Sequence, residues 1–373
     1  MKKGYYIHFE GRQSVGVSKK MDMQIEEFGK HFSIEEIDVK CRPRNLLQRV
    51  LGLFPTASIS REYDEALNTI DEPDFIYARR SVCDRAYLGF WKQIRQKYPQ
   101  CRIIIEIFTY PYDKDDFGKW NAWPFLIKEW IYRPKLKKYI DRFVTYSSHK
   151  EIFGIPTIVT TNGIIVDKVR KLGGDTKTGL IRLIGVAYFQ RQHGYERVIE
   201  GLAEYYKNDD TPYKITLDLV GEGPEKPFYQ ELVRQYDLEK YVKFHPMTVG
   251  EALDDLYDNA DIALAVFGAY KMNYHESTGA IKTRECFAKG IPLISGSPLT
   301  GVNDDYPYTE IFDNCAGPID MKRVTELYGR ACLDSGSRSD TADSMRNYAK
   351  EHMSMGTVMS EIIDFVKGQN ARG

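Results

Sequence analysis

One stretch in the second half of the chain combines small residues, a cation and a carboxylate at helical spacing. Residues 276–294 read ESTGAIKTRECFAKGIPLI, which predicts a small-residue loop, a short helix and a buried strand. Small residues let a backbone approach a ligand closely, and a helix start presents unpaired N–H groups that suit a phosphate. Lys282 and Glu285 are three residues apart and share one helix face. The amides and Lys282 would bind a diphosphate and Glu285 the ribose hydroxyls; the alternative is an ordinary helix with two solvated charges.

A second candidate is a strand that ends in closely spaced glycines. Residues 217–224 read LDLVGEGP, so a buried strand runs into Gly221, Glu222 and Gly223. Bare backbone at the carboxyl end of a strand permits close approach of a base or a ribose. A dinucleotide fingerprint would need a third glycine, and a tight strand-to-helix turn is the alternative.

A third candidate is the loop that follows the first predicted strand of the second half and opens a helix, within GVAYFQRQHGYER at 185–197. We expect Arg191 to bind a diphosphate as a fork of donors, with His193 reaching the same group. The alternative is that Arg191 is a solvated loop charge and that His193 caps the helix.

Two segments of the first half would supply acceptor contacts. EGRQSVGVSKK, after the first strand, predicts a flexible glycine loop that includes Gly16 and faces a cleft. IEIFTYPYD ends another strand with Glu106, Tyr110 and Asp113, whose carboxylates and hydroxyl suit an acceptor. A polar loop with aromatic packing is the alternative. The acidic run that begins at Asp113 lacks the supporting ligands of a divalent-metal site, so no metal is predicted.

The strands and helices that must position these segments alternate along almost the whole chain. This alternation predicts a mostly parallel sheet covered on both faces, and it restarts after a turn-rich join at 162–175. We therefore predict two doubly wound α/β domains, 1–165 and 166–353, with a C-terminal helix at about 354–373 crossing back onto the first. Ligands of such sheets bind at the carboxyl ends of the strands. The candidates above would then line a cleft between two facing sheets.

Composition and charge narrow the class further. The 373 residues are 42% hydrophobic and 28% charged, no stretch is apolar enough to span a bilayer, and the first residues lack a signal-peptide core. Six cysteines without a CxxC pair predict reduced thiols in the cytosol. Residues 1–165 carry 27 Lys and Arg against 21 Asp and Glu, whereas the rest carry 25 against 32. The basic first half favours an anionic surface or an acidic partner.

Two basic amphipathic segments of this half would lie on an anionic membrane face. One is CRPRNLLQRVLGLF at 41–54. The other carries a set of cations among Trp130, Ile131 and Tyr132. These cations are Lys128, Arg133, Lys135, Lys137 and Lys138. Ordinary surface helices are the alternative, and nothing in the sequence looks like a nucleic-acid module, a nucleophile elbow, a Walker A loop or an HExxH motif.

The order of these motifs resembles the second half of retaining GT-B glycosyltransferases of the glycosyltransferase 4 type. The resemblance covers about residues 160–296 and rests above all on the Gly-x-Gly-Pro turn and the stretch that carries Lys282. In the first half, GVSKK and TYPY look like members from bacterial exopolysaccharide and capsule synthesis. The resemblance implies two Rossmann-like domains, a UDP- or GDP-linked sugar donor bound mainly by the second, and a lipid-linked or glycan acceptor. It also implies retained anomeric configuration and no required metal or other cofactor.

The residue patterns and the resemblance together predict roles for individual residues. Those expected to act in catalysis are Lys282, Glu285 and Arg191. Those expected to bind the donor are Gly221, Glu222, Gly223, Ser277, Thr278, Gly279, Lys282, Glu285 and His193. Those expected on the acceptor side are Gly16, Tyr110 and Asp113.

The chain departs from the family pattern at three positions. Ser277 stands where the first glutamate of the usual pair belongs, and Tyr188 and His193 stand where the family has an arginine and a lysine. Arg191 would then substitute as the cation. Two alternatives stay open: a non-catalytic GT-B-like binding subunit of a glycosyltransferase complex, which the missing glutamate fits, and a nucleotide-sugar epimerase of the same architecture.

Overall fold

Two separate α/β units make up the chain in the computed structural model. The structure describes all residues except 10, 12–14, 42–51, 53, 55–56, 59–60, 108–109, 113–121, 174–178, 209–210, 273–279, 304, 335–336 and 370–373. The first unit comprises Met1–Thr161 and Met355–Gly373, and the second comprises Asn162–Ser354. Within the described part, no helix has the length and apolar character needed to cross a membrane.

A seven-stranded sheet lies at the centre of the first unit. Its strands are Lys3–His8 (β1), Ser33–Asp38 (β2), Phe75–Arg79 (β3), Arg102–Ile107 (β4), Arg142–Thr145 (β5), Glu151–Ile152 (β6) and Ile155–Val159 (β7). Their order is β2-β1-β3-β4-β5-β7-β6, and all neighbours are parallel except the β6–β7 pair. The order reverses between β1 and β3, as in doubly wound sheets of the flavodoxin type.

A six-stranded, wholly parallel sheet lies at the centre of the second unit. Its strands are Leu180–Val186 (β8), Lys214–Val220 (β9), Val242–His245 (β10), Ile262–Leu264 (β11), Leu293–Ser295 (β12) and Thr309–Ile311 (β13). The order β10-β9-β8-β11-β12-β13 corresponds to 3-2-1-4-5-6 by sequence, which is the order of the Rossmann dinucleotide-binding sheet. The reversal falls between β8 and β11.

Helices connect the strands throughout both units. In chain order they are Val15–Gly29 (α1), Tyr63–Thr69 (α2), Arg85–Lys97 (α3), Trp123–Tyr132 (α4), Glu196–Tyr205 (α5), Lys226–Gln235 (α6), Glu251–Asp258 (α7), Ile281–Lys289 (α8), Met321–Tyr328 (α9), Arg338–His352 (α10) and Met355–Lys367 (α11). Short 3₁₀ helices lie at Arg133–Lys138, Val166–Lys168 and Ala269–Met272, and a π-helical turn lies at Gly329–Leu333.

Helix α11 belongs to the first unit although it follows the second in sequence. Lys2 donates from Nζ to the carbonyl oxygen of Val366 at 2.6 Å, and Arg102 donates to the same oxygen at 2.8 Å. These bonds satisfy a carbonyl near the end of α11, where the last carbonyls of a helix lack intrahelical donors. The last helix of the first unit is thus fixed by a residue before β1 and the first residue of β4.

An aromatic core positions the strands of the first unit. Phe9 directly follows β1 and is buried against Tyr87, with the ring centroids 5.1 Å apart. Phe90 and Trp91 of α3 extend the cluster at 4.9 Å from one another, and both are buried. Offset and edge-to-face ring contacts of this kind add to the stabilisation from buried area.

The predicted architecture is confirmed, with small differences in individual elements. Both sheets are mostly or wholly parallel and have a doubly wound strand order, as the alternating pattern predicted. The basic amphipathic segment around Trp130 is an α-helix only as far as Tyr132 and continues as a 3₁₀ helix, because Pro134 has no N–H to donate. The edge strands β6 and β13 were not predicted, since two or three residues are too few to show an alternating pattern.

Candidate functional site

The loops after β8 and β9 are joined to one another at the carboxyl edge of the second sheet. The N–H of Ala187 donates to the carbonyl oxygen of Val220 at 3.1 Å, and that of Phe189 donates to the carbonyl oxygen of Glu222 at 2.7 Å. This edge lies beside the reversal of strand order between β8 and β11. Ligands of doubly wound sheets bind at such a reversal.

Two glycines make this close contact of loops possible. Gly221 and Gly223 have φ angles of +143° and +144°, which residues with a side chain rarely adopt. A Cβ on Gly221 would lie 1.9 Å from the carbonyl oxygen of Ala187, and one on Gly223 would lie 2.4 Å from that of Phe189. The neighbouring loop alone therefore requires both glycines, in agreement with the tight-turn alternative. Their contact with a base or ribose stays a prediction.

The loop after β8 is also bound to the loop after β11, across the reversal. Phe267 donates its N–H to the carbonyl oxygen of His193 at 2.9 Å, and Gly268 donates to that of Gln192 at 3.0 Å. The backbone around His193 is thereby held by the loop that follows β11. Arg191 lies two residues earlier in the same loop, and its side chain is exposed.

The imidazole of His193 is held in one tautomer. Its Nδ1 lies 3.1 Å from the backbone N–H of Gln190, which makes Nδ1 the acceptor and leaves the proton on Nε2. Burial, and then the nearby Lys282 ammonium, lower the pKa of His193 to about 3. The side chain is therefore neutral at physiological pH and offers one N–H donor.

Lys282, the second residue of α8, is a half-buried cation without a carboxylate partner among the residues that the structure describes. Its Nζ lies 3.4 Å from the carbonyl oxygen of Ala265, directly after β11, and 5.9 Å from the ring centroid of Tyr195. Burial lowers the pKa of Lys282 to about 8. A desolvated ammonium that lacks a counter-ion favours the binding of an anion beside it.

The start of α8, beside Lys282, holds a buried hydroxyl, that of Thr283. Ala280 precedes the helix and provides no side-chain cap, while its carbonyl oxygen accepts from the N–H of Thr283 at 3.1 Å. The hydroxyl of Thr283 is buried without a hydrogen-bond partner in the described part of the chain. Ser277, Thr278 and Gly279, which the sequence assigns to the diphosphate, lie outside the described residues.

The two glutamates of the predicted donor site differ in their surroundings. Glu285 is half-buried one turn after Lys282 on α8. Its negative charge acts on the buried Tyr257: burial first, then Cys286 and Glu285, raise the pKa of that hydroxyl well above its usual value. Glu222, in contrast, forms an ion pair with Lys226 at 2.7 Å on the surface. Only Glu285 is thus on the same element as Lys282.

In the first unit, Glu106 is not available to an acceptor as predicted. Its side chain is fully buried, with Lys20 Nζ at 2.8 Å and the hydroxyl of Tyr146 at 3.0 Å from Oε1. Burial by itself would raise the pKa of Glu106, but Lys20 and then Arg79 outweigh it and lower that pKa to about 2. This carboxylate is a charged part of the core.

The other predicted acceptor residues lie at different places in the first unit. Gly16 is the second residue of α1 and is exposed. Tyr110 is half-buried, with its ring edge-on to that of His149 at 4.8 Å. Asp113 lies outside the described residues. No group of three or more His, Cys, Asp and Glu side chains suited to a metal ion is formed by the described residues.

Two residues at the carboxyl edge of the second sheet were not singled out by the sequence analysis. Tyr195 is fully buried, with its ring 5.8 Å from that of His193 and 5.9 Å from the Lys282 ammonium. Arg197 is buried on α5, where Nε donates to the carbonyl oxygen of Gly317 at 2.6 Å and Nη1 to that of Phe267 at 3.1 Å. The position of Arg197 beside the apolar residues of α5 could have indicated from the sequence that this arginine is buried.

Comparison with known proteins adds the class of fold. No protein-family model matches the chain, and no curated protein matches it. Among solved structures, it is similar to sucrose-phosphate synthase from Thermosynechococcus elongatus, with a TM-score of 0.64 and 13% identity over 99% of each chain. It is also similar to a glycosyltransferase from Rickettsia africae, with a TM-score of 0.59 and 11% identity over 100% of both chains.

A third similar structure is the lipopolysaccharide outer core galactosyltransferase WaaB in its apo form. The TM-score is 0.58 at 14% identity, over 99% of this chain and 100% of that one. Together with the two parallel sheets, these matches show that the chain has the GT-B fold, with two Rossmann-like α/β units.

Proposed function

We propose that the protein is a glycosyltransferase that uses a nucleoside-diphosphate sugar, UDP- or GDP-linked, as its donor. The sugar would pass to a hydroxyl of a lipid-linked or polysaccharide acceptor with retained configuration. The observation that carries this proposal is the half-buried Lys282 ammonium without a described carboxylate partner, beside the strand reversal of a Rossmann-ordered sheet. Such a group fits the diphosphate of an activated sugar.

In the proposed reaction, negative charge develops on the leaving diphosphate as the glycosidic bond breaks. The Lys282 ammonium and the Nε2–H of His193 would stabilise this charge, because both are held in place before the reaction. Arg191, exposed in the same loop, would add a guanidinium fork. The acceptor oxygen would bond to the anomeric carbon on the face that the diphosphate leaves, and a phosphate oxygen would take the acceptor's proton.

The nucleoside would be bound by the neighbouring elements. In this proposal Glu285 accepts hydrogen bonds from the ribose hydroxyls, and the backbone of Gly221 and Gly223 lies against the base or ribose. Glu222 would contribute through its backbone, because its carboxylate is paired with Lys226. The amides of Ser277, Thr278 and Gly279 would complete the diphosphate contacts.

The names of similar structures support sugar transfer. Two of them are a glycosyltransferase and a galactosyltransferase of the lipopolysaccharide outer core, and the second name supports a lipid-linked glycan as the acceptor. A role in exopolysaccharide or capsule synthesis, membership of the glycosyltransferase 4 type and a location on the inner face of the cell membrane belong to the same proposal.

The test is release of nucleoside diphosphate by the purified protein from UDP-, GDP- and ADP-linked sugars, after a thermal-shift screen has selected the donor. Lys282→Ala is expected to lower the rate at least about tenfold without unfolding the protein. The matched control is Lys214→Ala, an exposed lysine at the opposite, amino end of β9. The proposed role is wrong if a folded Lys282→Ala protein keeps a near-normal rate.

The same assay separates the alternatives. A non-catalytic binding subunit would bind the donor with no release of diphosphate, and an epimerase would yield an isomerised sugar nucleotide. Retention is read from the anomeric configuration of the transferred sugar by NMR, and an inverted product would overturn that part of the proposal.

A further inference from the structure

Helix α4 has most of its apolar side chains exposed or half-buried, with Leu126 as the buried exception, while both of its charged side chains are inside. Trp123, Ile127, Trp130 and Ile131 follow the i, i+4, i+7, i+8 spacing of one helix face. Trp123, Trp130 and Ile131 are 38%, 39% and 42% exposed, and Ile127 is half-buried. In the same helix, Lys128 is 0% exposed and Glu129 is 3% exposed. We call Trp123, Ile127, Trp130 and Ile131 the α4 stripe.

The buried charges fix this orientation of the helix. Glu129 accepts from Arg80 at 2.8 Å, from the N–H of Cys83 at 2.7 Å and from the hydroxyl of Tyr112 at 2.9 Å. Lys128 donates to the carbonyl oxygen of Gly52. A buried carboxylate with three donors is costly to expose, so α4 cannot rotate its stripe inward without losing them.

The composition of the α4 stripe fits an interface between water and lipid. The rings of Trp123 and Trp130 contact edge-to-face, with centroids 5.9 Å apart. Tryptophan has a large apolar ring system and one N–H donor, and it is enriched where a bilayer meets water. A contiguous exposed apolar face marks an interaction site, whereas single exposed apolar residues are ordinary.

The charge next to the α4 stripe selects the kind of lipid. Lys135, Lys137 and Lys138 are exposed on the 3₁₀ helix that directly follows α4. Residues 1–165 also carry 27 Lys and Arg against 21 Asp and Glu. Lys128, which the sequence assigned to this basic face, is buried and does not belong to it.

We propose that the α4 stripe docks this protein on the surface of an anionic phospholipid bilayer. The apolar side chains would enter the interface between headgroups and acyl chains, and the three lysines would contact the anionic headgroups. This inference rests on the membrane location proposed above and names the residues and the kind of lipid; its test needs neither the donor site nor an acceptor, so it can fail independently of sugar transfer. The other occupant of such a face, a second copy of this chain, is an outcome of the test.

Vesicle flotation of the full chain tests the proposal. The wild-type protein is expected to float with vesicles of phosphatidylcholine containing about a third phosphatidylglycerol, and far less with phosphatidylcholine alone. The double change Trp130→Ser with Ile131→Ser is expected to weaken the binding at least about tenfold. The matched control is Phe228→Ser, because Phe228 is 45% exposed in the second unit and should leave binding unchanged.

A charge variant and a measurement of size complete the design. Reversing Lys135, Lys137 and Lys138 to Glu is expected to weaken binding to the anionic vesicles by about a hundredfold or more. Any one of three results would overturn the proposal: no flotation of the wild type, flotation of the Trp130→Ser, Ile131→Ser protein equal to wild type, or a lipid-free dimer by light scattering that the same change dissociates.

Discussion

Each unit holds a lysine on a helix that follows a strand of its sheet, but the two lysines differ in their electrostatic surroundings. Lys20 on α1 is buried and lies 2.8 Å from the fully buried Glu106. Lys282 on α8 is half-buried, with no carboxylate partner among the described residues. A buried ion pair is part of the fold, and breaking it costs stability. A desolvated cation without such a partner is instead suited to a ligand.

The largest expected effect comes from breaking the ion pair of the first unit. Glu106→Gln leaves Lys20 buried without its carboxylate, and we expect the free energy of unfolding of this unit to fall by about 3–5 kcal/mol. All four tryptophans of the chain lie in the first unit, so their fluorescence during urea unfolding reports on it alone.

A second variant makes that measurement specific. Lys20→Met together with Glu106→Gln removes both buried charges and should recover most of the lost stability. A loss of less than about 1 kcal/mol for Glu106→Gln alone would contradict the role assigned to the pair.

The next largest effect is expected at the loops of the second unit. Gly221→Ala places a Cβ 1.9 Å from the carbonyl oxygen of Ala187 at a φ of +143°, so we expect a loss of about 2–3 kcal/mol and weaker nucleotide binding. Thermal unfolding measures the loss of stability, and calorimetric titration with UDP or GDP measures the nucleotide binding. Gly329→Ala, where a Cβ meets nothing within 4 Å, is the control and should be near neutral. Equal behaviour of the two variants would show that the loops can move apart.

The pKa of Lys282 gives a pH dependence with two opposite signs. Because this pKa is about 8, the folded protein loses the ammonium above about pH 8, and its affinity for a nucleoside diphosphate should fall by up to about tenfold per pH unit. Without ligand, the unfolded chain keeps this proton up to the ordinary lysine value of 10.5, so the free energy of unfolding should rise over the same range.

Calorimetric titrations with UDP or GDP at several pH values measure the first sign. The control Lys282→Met should bind more weakly, with an affinity that does not change over this range. A wild-type affinity that is also constant with pH would remove Lys282 from the proposed diphosphate site.

The smallest effect is expected at the surface ion pair of the second unit. Glu222→Gln removes the partner of Lys226, and exposed pairs of this kind contribute at most about 0.5 kcal/mol. Thermal unfolding should therefore hardly change. A clearly larger loss would mean that the carboxylate of Glu222 does more than its exposed position suggests.

The order of elements could be predicted because both sheets repeat one simple pattern. Strand β4, Arg102–Ile107, could be predicted because its apolar residues are nearly continuous. Helix α8, Ile281–Lys289, is the short helix predicted within residues 276–294, between a small-residue loop and a buried strand. The loops that connect these strands and helices could be located because the ends of the strands and helices were predictable.

The electrostatic state of individual side chains could not be predicted. Glu106 was interpreted as an acceptor contact because it lies near the end of β4, but its partner Lys20 is 86 positions away in sequence. Lys128 was interpreted as part of a basic surface, although it faces inward with Glu129. The burial and pairing of both side chains depend on contacts between segments that are distant in sequence, and a local sequence pattern does not show such contacts.

Helix α11 has a consequence for the order of assembly on the ribosome. The second unit is synthesised as one continuous segment, so it can fold as soon as Ser354 has left the exit tunnel. Most of the first unit precedes the second in sequence, yet the acceptor carbonyl for Lys2 and Arg102, at Val366, follows the second unit. The first unit therefore cannot form these bonds until the whole second unit has been synthesised.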